Sequence, residues 1–129
     1  MRKKNAKNIL IVENEIIVAD DISRVVSELG HIPISPASGF QQAIDFFDKH
    51  LPDLVILDIR LNSAKSGLDF ARWMRQRSQT PIVYLTVNDD QTTKKSCEQT
   101  HAAAYITKPF LDQELKTAIS EALNPQNEP

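Results

Sequence analysis

The chain has 129 residues, of which 41% are hydrophobic and 25% charged, so it has room for one compact domain and not for two. Its formal net charge of −2 excludes the broad basic surface that binds nucleic acid or an anionic membrane, and its single cysteine excludes an internal disulfide. No apolar stretch reaches the roughly 20 residues of a membrane span. Glu13 cuts short the apolar run behind the basic N-terminus, which argues against a signal peptide and favours the cytoplasm.

Apolar runs and helix-period segments alternate along the first half of the chain. Residues 9–12 are aliphatic without polar alternation, which is typical of a strand buried on both faces. Residues 15–29 predict a helix that Gly30 ends. Residues 31–35 predict a short second strand, and 38–41 read as a capping box that opens the second helix. The positions expected to face the core are Val18, Ile22, Val25 and Leu29 in the first helix, and Phe40, Ala43, Ile44 and Phe47 in the second.

The second half continues this alternation. It predicts, in order, a strand over 54–57, a helix opening at 66–69, a strand over 81–86, a helix over 89–101, a strand over 102–106 and a helix over 111–123. The expected core contacts are Phe70, Ala71 and Met74 in the third helix and Leu111, Leu115, Ala118 and Ala122 in the fifth. Strands that alternate with helices predict a parallel sheet covered on both faces, because each crossover needs a helix.

The fourth predicted helix is almost entirely polar, and Cys97 is its main apolar residue. A helix with so little apolar surface gains little from packing against a core. We therefore expect this helix to open locally before the domain as a whole unfolds.

Chemically active side chains end or closely follow four of the five apolar runs. Glu13 and Asn14 follow the first run, Asp58 the third and Lys108 the fifth, while Thr86 closes the fourth. In an open parallel sheet, ligands bind beyond the carboxyl ends of the strands, where the strand order reverses. With an order of 2-1-3-4-5, two acids, an amide, a hydroxyl and an ammonium would meet at that edge.

Four segments in this order and spacing resemble a response regulator receiver domain, the phosphoacceptor module of two-component signalling. They are ILIVEN from residue 9, LVILDIRL from 54, LTVND from 85 and AAAYITKPF from 102. The resemblance is to a single-domain receiver like the chemotaxis regulator. It covers a core of about 8–123, which leaves 1–7 as a basic tail and 124–129 as a polar tail. It implies an α/β, flavodoxin-like, doubly wound sheet of five parallel strands, in the order 2-1-3-4-5, with five helices.

The resemblance also implies roles for individual residues. Asp58 would be the phosphoacceptor, and Thr86 and Lys108 would bind the phosphoryl oxygens. Thr86 and Tyr105 would form the switch, in which Tyr105 rotates inward when Thr86 moves toward the phosphoryl group. The peptide bond between Lys108 and Pro109 is a candidate for the cis form.

By the same resemblance, Mg²⁺ would be held by Glu13, Asn14, Asp58 and the backbone carbonyl of Arg60. The family usually has an aspartate where this chain has Asn14. An amide oxygen can still coordinate Mg²⁺ but brings no charge, so we expect binding weaker by about one or two orders of magnitude. The structural alternative for Asn14 is an N-cap of the first helix.

Four further residues each have two readings. Arg60 either overhangs the site and slows hydrolysis of the phosphoaspartate, or is solvated and offers only its carbonyl. Asn88 either orients an attacking water or belongs to a turn. Trp73 is either core packing or a partner anchor. His101 replaces the glycine with which the family commonly ends the fourth helix, so it must avoid the left-handed region or bear strain.

The partners follow from the resemblance. A histidine kinase or a histidine phosphotransfer protein would supply the phosphoryl group, and an unknown downstream protein would bind the face made by the fourth helix, fifth strand and fifth helix. The chain would be a monomer or a phosphorylation-dependent dimer, with no nucleic acid or membrane contact. It would not be an enzyme, and would catalyse only its own phosphoryl transfer and slow autodephosphorylation. The alternative is a pseudo-receiver, a protein-interaction module whose metal site has decayed, with Asn14 as the first sign.

Overall fold

The computed structural model describes residues 5–61, 63–87 and 90–124. Within these ranges, five parallel strands form one sheet in the order β2-β1-β3-β4-β5 with five helices, as predicted. The strands are β1 (Asn8–Val12), β2 (Ile32–Pro33), β3 (Leu54–Asp58), β4 (Ile82–Thr86) and β5 (Ala104–Thr107). The helices are α1 (Ile16–Glu28), α2 (Phe40–His50), α3 (Gly67–Arg75), α4 (Gln91–Glu98) and α5 (Asp112–Leu123). No helix in the described part of the chain is long and apolar enough to cross a membrane.

The sheet separates two apolar clusters. Alternate side chains of the strands point to opposite faces, so the continuous apolar runs bury both faces at once. One face packs against α2 and α3 and the other against α1 and α5. Because each fully buried aliphatic side chain contributes about 1.5–3 kcal/mol relative to exposure, the central strands β1, β3 and β4 are the best anchored part of the molecule.

The helix ends confirm some local predictions and correct one. Gly30 has φ 85°, the left-handed conformation expected behind α1. Ser66 is the N-cap of α3 and exchanges hydrogen bonds with Asp69. The capping box predicted for Ser38 and Gln41 is wrong, because Gly39 is the N-cap of α2 and makes no side-chain cap bond. Instead, the backbone N–H of Ser38 donates to Oε1 of Gln42 at 2.8 Å.

The structure contradicts the prediction for Leu111 and decides between the two readings of Trp73. Leu111, predicted to face the core, is 71% exposed, because it is the N-cap of α5 and precedes the helix that carries the buried Leu115. The Leu111 prediction is therefore wrong. Trp73 is partly buried, with its ring 5.7 Å from that of Phe47 and 5.8 Å from that of Phe70. This arrangement is core packing rather than a free partner anchor.

We predict that the amides of α4 exchange with solvent at least about tenfold faster than those of β1 and β3. Cys97 is the one buried residue of α4, which is shorter than the predicted 89–101. His101 follows it with φ 59°, so the strained alternative holds. Hydrogen exchange resolved by residue measures the difference. Equal protection of Lys95 and Ile56 would contradict the prediction.

Candidate functional site

Three charged side chains converge where β1, β3 and β5 end. Glu13 follows β1 and is 2% exposed, and Asp58 closes β3 and is 5% exposed. Nζ of Lys108 lies 2.7 Å from Oε1 of Glu13 and 3.3 Å from Oδ2 of Asp58. The edge that the sequence predicts as the site therefore brings together both acids and the ammonium.

Backbone contacts hold these side chains in place. The register pairs Asp58 with Leu85, which sets the end of β3 beside the end of β4. The N–H of Lys108 donates to the carbonyl of Thr86 at 2.7 Å, and the Lys108–Pro109 peptide bond is cis, as predicted. The N–H of Arg60 donates to Oδ1 of Asp58 at 3.0 Å. Each oxygen of the Asp58 carboxylate thus has a different partner, one from the backbone and one from Lys108.

Burial and the neighbouring charges shift the pKa values of the pair. Burial raises the pKa of Glu13, and the nearby charge of Asp58 adds to this, while hydrogen bonds from Lys108 and Glu15 oppose it. Burial alone would lower the pKa of Lys108, but its contacts with Glu13 and Asp58 outweigh burial and raise it. Lys108 is therefore a firmly protonated cation set between two carboxylates.

A cleft of about 320 Å³ opens beside this ion pair. Its lining residues are Asn14, Glu15, Asp58, Arg60, Leu61, Val87 and Lys108. Asn14 is partly buried, and Arg60 is exposed. Asn14 is not the N-cap of α1, since that position belongs to Glu15. Three of the predicted metal-binding residues, Asn14, Asp58 and Arg60, thus line one cleft, and Glu13 contacts its lining residue Lys108.

The donor set suits a magnesium ion in type and in charge. Oxygens of Glu13, Asn14, Asp58 and the Arg60 carbonyl are the hard ligands that Mg²⁺ takes. The two buried carboxylates outnumber the single ammonium of Lys108, and this excess negative charge away from water favours a cation. The described residues hold no cluster of three or more His, Cys, Asp or Glu suited to a metal. Asn14, at the position where the resemblance implies an aspartate, lines the same cleft as Asp58.

Thr86 and Tyr105 lie on one face of the sheet. Tyr84 is the register partner of Tyr105, as Thr86 is of Thr107, and side chains two residues apart on a strand point the same way. Thr86 is 1% exposed at the end of β4. Tyr105 is partly buried and packs against the cluster under α2 and α3. Asn88, which is also predicted to belong to the site, lies outside the described residues.

Sequence reasoning missed two residues that shape the site. The N–H of Glu15 donates to Oε2 of Glu13 at 3.1 Å, and its carboxylate lies 3.7 Å from Nζ of Lys108. Gly67 donates its N–H to the carbonyl of Ile59 at 2.7 Å. Glu15 directly follows Glu13 and Asn14 in the sequence, so its position was a signal that could have indicated it. Gly67 acts through a contact across the loop that follows β3, and such a contact leaves no local pattern in the sequence.

Replacing Gly67 with alanine is expected to lower the free energy of unfolding by about 2 kcal/mol. A Cβ at this position would overlap the carbonyl oxygen of Asp58 and lie 3.0 Å from its carbonyl carbon, so the backbone that carries Asp58 would have to move. Urea unfolding measures the loss. Gly39→Ala is the control, because a Cβ there meets only ordinary contacts with Ser63. Equal stability of the two variants would contradict the prediction.

Comparison with known proteins gives one consistent result. The family model described as "Response regulator receiver domain" matches residues 9–120. The transcriptional regulatory protein PdtaR of Mycobacterium tuberculosis is 30% identical over 118 residues, which cover 92% of this chain and 57% of that protein. The CheY-like response regulator receiver domain protein of Methanospirillum hungatei superposes with a TM-score of 0.85 at 21% identity, over 96% of this chain and 98% of that one. The signal receiver domain of a LuxO repressor protein from Vibrio parahaemolyticus gives 0.86 at 24% identity, over 95% and 93%. The chain spans about half the length of the curated relatives it matches.

Proposed function

Because this chain belongs to the response regulator receiver domains of two-component signalling, we propose that Asp58 accepts a phosphoryl group from a partner phosphohistidine. The observation that carries this is the convergence of Glu13, Asp58 and Lys108 beside an open cleft. The donor would be a histidine kinase or a histidine phosphotransfer protein. The phosphorylated chain would then bind a downstream protein in the cytoplasm, as a monomer or as a dimer.

The residues of the site can perform this transfer. A carboxylate oxygen of Asp58 forms a bond to phosphorus while the bond between phosphorus and the histidine nitrogen breaks, and the electron pair returns to the imidazole. Negative charge is concentrated around the reacting atoms. Lys108, which Glu13 holds in place, offsets this charge without having to move. Mg²⁺, held by Glu13, Asn14, Asp58 and the Arg60 carbonyl, would supply further positive charge.

The switch would use the shared face of β4 and β5. Thr86 hydrogen-bonds the new phosphoryl group, and Tyr105 turns inward toward the space that Thr86 leaves. Their placement on one face of the sheet supports this coupling. The rearranged surface of α4, β5 and α5 would bind the target. The exposed Arg60 at the cleft would slow hydrolysis of the phosphoaspartate, and a similar tuning role for Asn88 is part of the proposal.

A second function has one observation in its favour. Lys108 already pairs with both buried carboxylates, and Asn14 contributes no charge, so the site is partly compensated without a metal. In that case the chain is a pseudo-receiver, which binds partners independently of phosphorylation. The two functions differ in whether Asp58 is ever modified.

Incubation with acetyl phosphate, with and without Mg²⁺, tests the proposal, with intact mass spectrometry as the readout. We expect a mass increase of one phosphoryl group that depends on Mg²⁺ and disappears in Asp58→Ala. Asp48→Ala is the matched control, because it removes an exposed aspartate of α2. Absence of any adduct at every Mg²⁺ concentration would select the pseudo-receiver. An adduct that survives in Asp58→Ala would refute Asp58 as the acceptor.

A further inference from the structure

Both carboxylate oxygens of Glu13 accept a hydrogen bond. Oε1 accepts from Nζ of Lys108 at 2.7 Å, and Oε2 accepts from the backbone N–H of Glu15 at 3.1 Å. Since the proposed Mg²⁺ site also uses Glu13, the ion and the ammonium of Lys108 would share one carboxylate. A divalent cation on this carboxylate weakens its attraction for the ammonium. Lys108 therefore needs a further acceptor if it is to keep its place beside Asp58.

Glu15 lies where such an acceptor is needed. Its Oε1 is 3.7 Å from Nζ of Lys108, and the residue lines the same cleft as Lys108 and Asp58. The Glu15 side chain is 65% exposed, whereas that of Glu13 is 1% exposed. An N–H···O hydrogen bond spans about 2.7–3.2 Å, so a movement of about 0.5–1 Å would close the gap. An exposed side chain can make this movement without disturbing the sheet.

The backbone of Glu15 is fixed, while its carboxylate is directed to Lys108. Its N–H donates to Glu13, and its carbonyl accepts from the N–H of Ala19 at 2.9 Å. Glu15 is the N-cap of α1, yet its side chain makes no cap hydrogen bond. Among the described residues, its carboxylate forms an ion pair with Lys108. The side chain thus serves the cleft and not the start of the helix.

The charge of Glu15 offsets the neutrality of Asn14. The ammonium of Lys108 repels a divalent cation, and Glu15 places a further carboxylate within ion-pair distance of that ammonium. Arg60 also lines the cleft, but it is exposed, and none of the ion pairs among the described residues joins it to these acids. The charge that an aspartate at position 14 would bring is therefore present one residue later in the chain.

We propose that Glu15 holds Lys108 beside Asp58 when Glu13 binds Mg²⁺, and so supplies the negative charge that Asn14 lacks. This role rests on the proposed function, since it assumes that Mg²⁺ enters the cleft. Glu15 is a positioning residue, because it acts through Lys108. The neutral Asn14 then does not mark a decayed site.

Calorimetric titration of the full chain with Mg²⁺ tests this role. Glu15→Gln keeps the size of the side chain and removes its charge, and we expect the affinity to fall about threefold to tenfold, as for an exposed charge near the ion. Glu121→Gln is the control, because it makes the same change at an exposed glutamate of α5, about two and a half turns beyond the start of that helix. It should bind Mg²⁺ as the wild type does. Equal affinities of Glu15→Gln and the wild type would overturn the proposal.

The dependence on Lys108 separates positioning from direct attraction of the ion. Without the ammonium, no ion pair holds the Glu15 carboxylate at the cleft, so adding Glu15→Gln to Lys108→Met should change the affinity by less than about twofold. A general loss of stability does not produce this pattern, since the dissociation constant describes the folded chain. A loss as large as in the wild-type background would show that Glu15 acts on the ion without Lys108, and would overturn the positioning role.

Moving the charge back by one residue tests the relation to Asn14. The double variant Asn14→Asp with Glu15→Gln should bind Mg²⁺ at least as tightly as the wild type. A double variant as weak as Glu15→Gln would overturn the claim that one carboxylate replaces the other. A wild type that binds no Mg²⁺ would refute the proposed magnesium site and this role together. Binding by the wild type with no loss in Glu15→Gln would refute the role of Glu15 alone.

Discussion

Replacing Lys108 with methionine is expected to lower the rate of Asp58 phosphorylation by acetyl phosphate at least about a hundredfold. The ammonium contacts the Asp58 carboxylate at 3.3 Å and is positioned by Glu13 at 2.7 Å, so it offsets charge at the reacting atoms without having to move. Removing one such donor from a preorganised site typically costs about 10²–10³ in rate. The initial rate of adduct formation, followed by intact mass at saturating Mg²⁺, measures the effect. A rate within a few-fold of the wild type would show that Lys108 takes no part in the transfer.

The same variant should also lose stability, with a distinctive dependence on pH. It leaves two buried carboxylates without their ammonium, which we expect to lower the free energy of unfolding by about 2–3 kcal/mol near neutral pH. The pKa of Glu13 is already raised above 4.5 and should rise further. A group whose pKa is raised by folding adds stability below its unfolded pKa and loses it as the pH rises through its folded pKa. The deficit of Lys108→Met should therefore shrink on acidification toward about pH 5.

Lys116→Met is the matched control for both measurements. Lys116 is also an ion-paired lysine, 2.9 Å from Glu28, but both side chains are substantially exposed, at 29% and 44%. Exposed ion pairs contribute about 0–1 kcal/mol, so this variant should keep nearly all of its stability and its full rate. A comparable loss in Lys116→Met would mean that the effect of Lys108→Met is a general effect of removing charge.

The sequence predicts the order of the elements well because each strand carries its own pattern. The run at 54–57 is buried on both faces and ends at an acid, and this contrast places Asp58 at the edge of the sheet without any knowledge of its neighbours. Parallel topology then brings Glu13 and Lys108 to the same edge. These inferences need only local patterns and one rule of connectivity.

Features that depend on distant contacts could not be predicted in the same way. Ser38 and Ser66 both stand at predicted helix starts, yet only Ser66 caps its helix, because the start of α2 is set one residue later at Gly39. Gly67 matters through the backbone of Asp58, and the buried hydroxyl of Tyr84 bonds to that of Thr100, sixteen residues away. Neither contact leaves a periodic trace in the sequence.

The Asn14 position should decide how strongly the site binds Mg²⁺. Asn14→Asp is expected to raise the affinity about tenfold to a hundredfold, because it adds a negative charge at the cleft shared by Asp58 and Arg60. Calorimetric titration of the apo chain measures it. Asn5→Asp is the control, since it adds the same charge at a cavity lined by Lys7 and His31 instead. Unchanged affinity in Asn14→Asp would remove Asn14 from the metal site.

The stability of the Asn14→Asp variant provides an independent check on the same argument. Another carboxylate at the cleft, in addition to those of Glu13, Asp58 and Glu15, adds repulsion that the single ammonium of Lys108 cannot offset, so the metal-free variant should be less stable than the wild type by about 1 kcal/mol. Mg²⁺ should restore this loss, because a ligand that binds only the folded state stabilises it by mass action. The midpoint of urea unfolding should thus rise more steeply with Mg²⁺ concentration in Asn14→Asp than in the wild type. If the two midpoints rise in parallel, the added carboxylate does not contact the ion, and Asn14 lies outside the metal site.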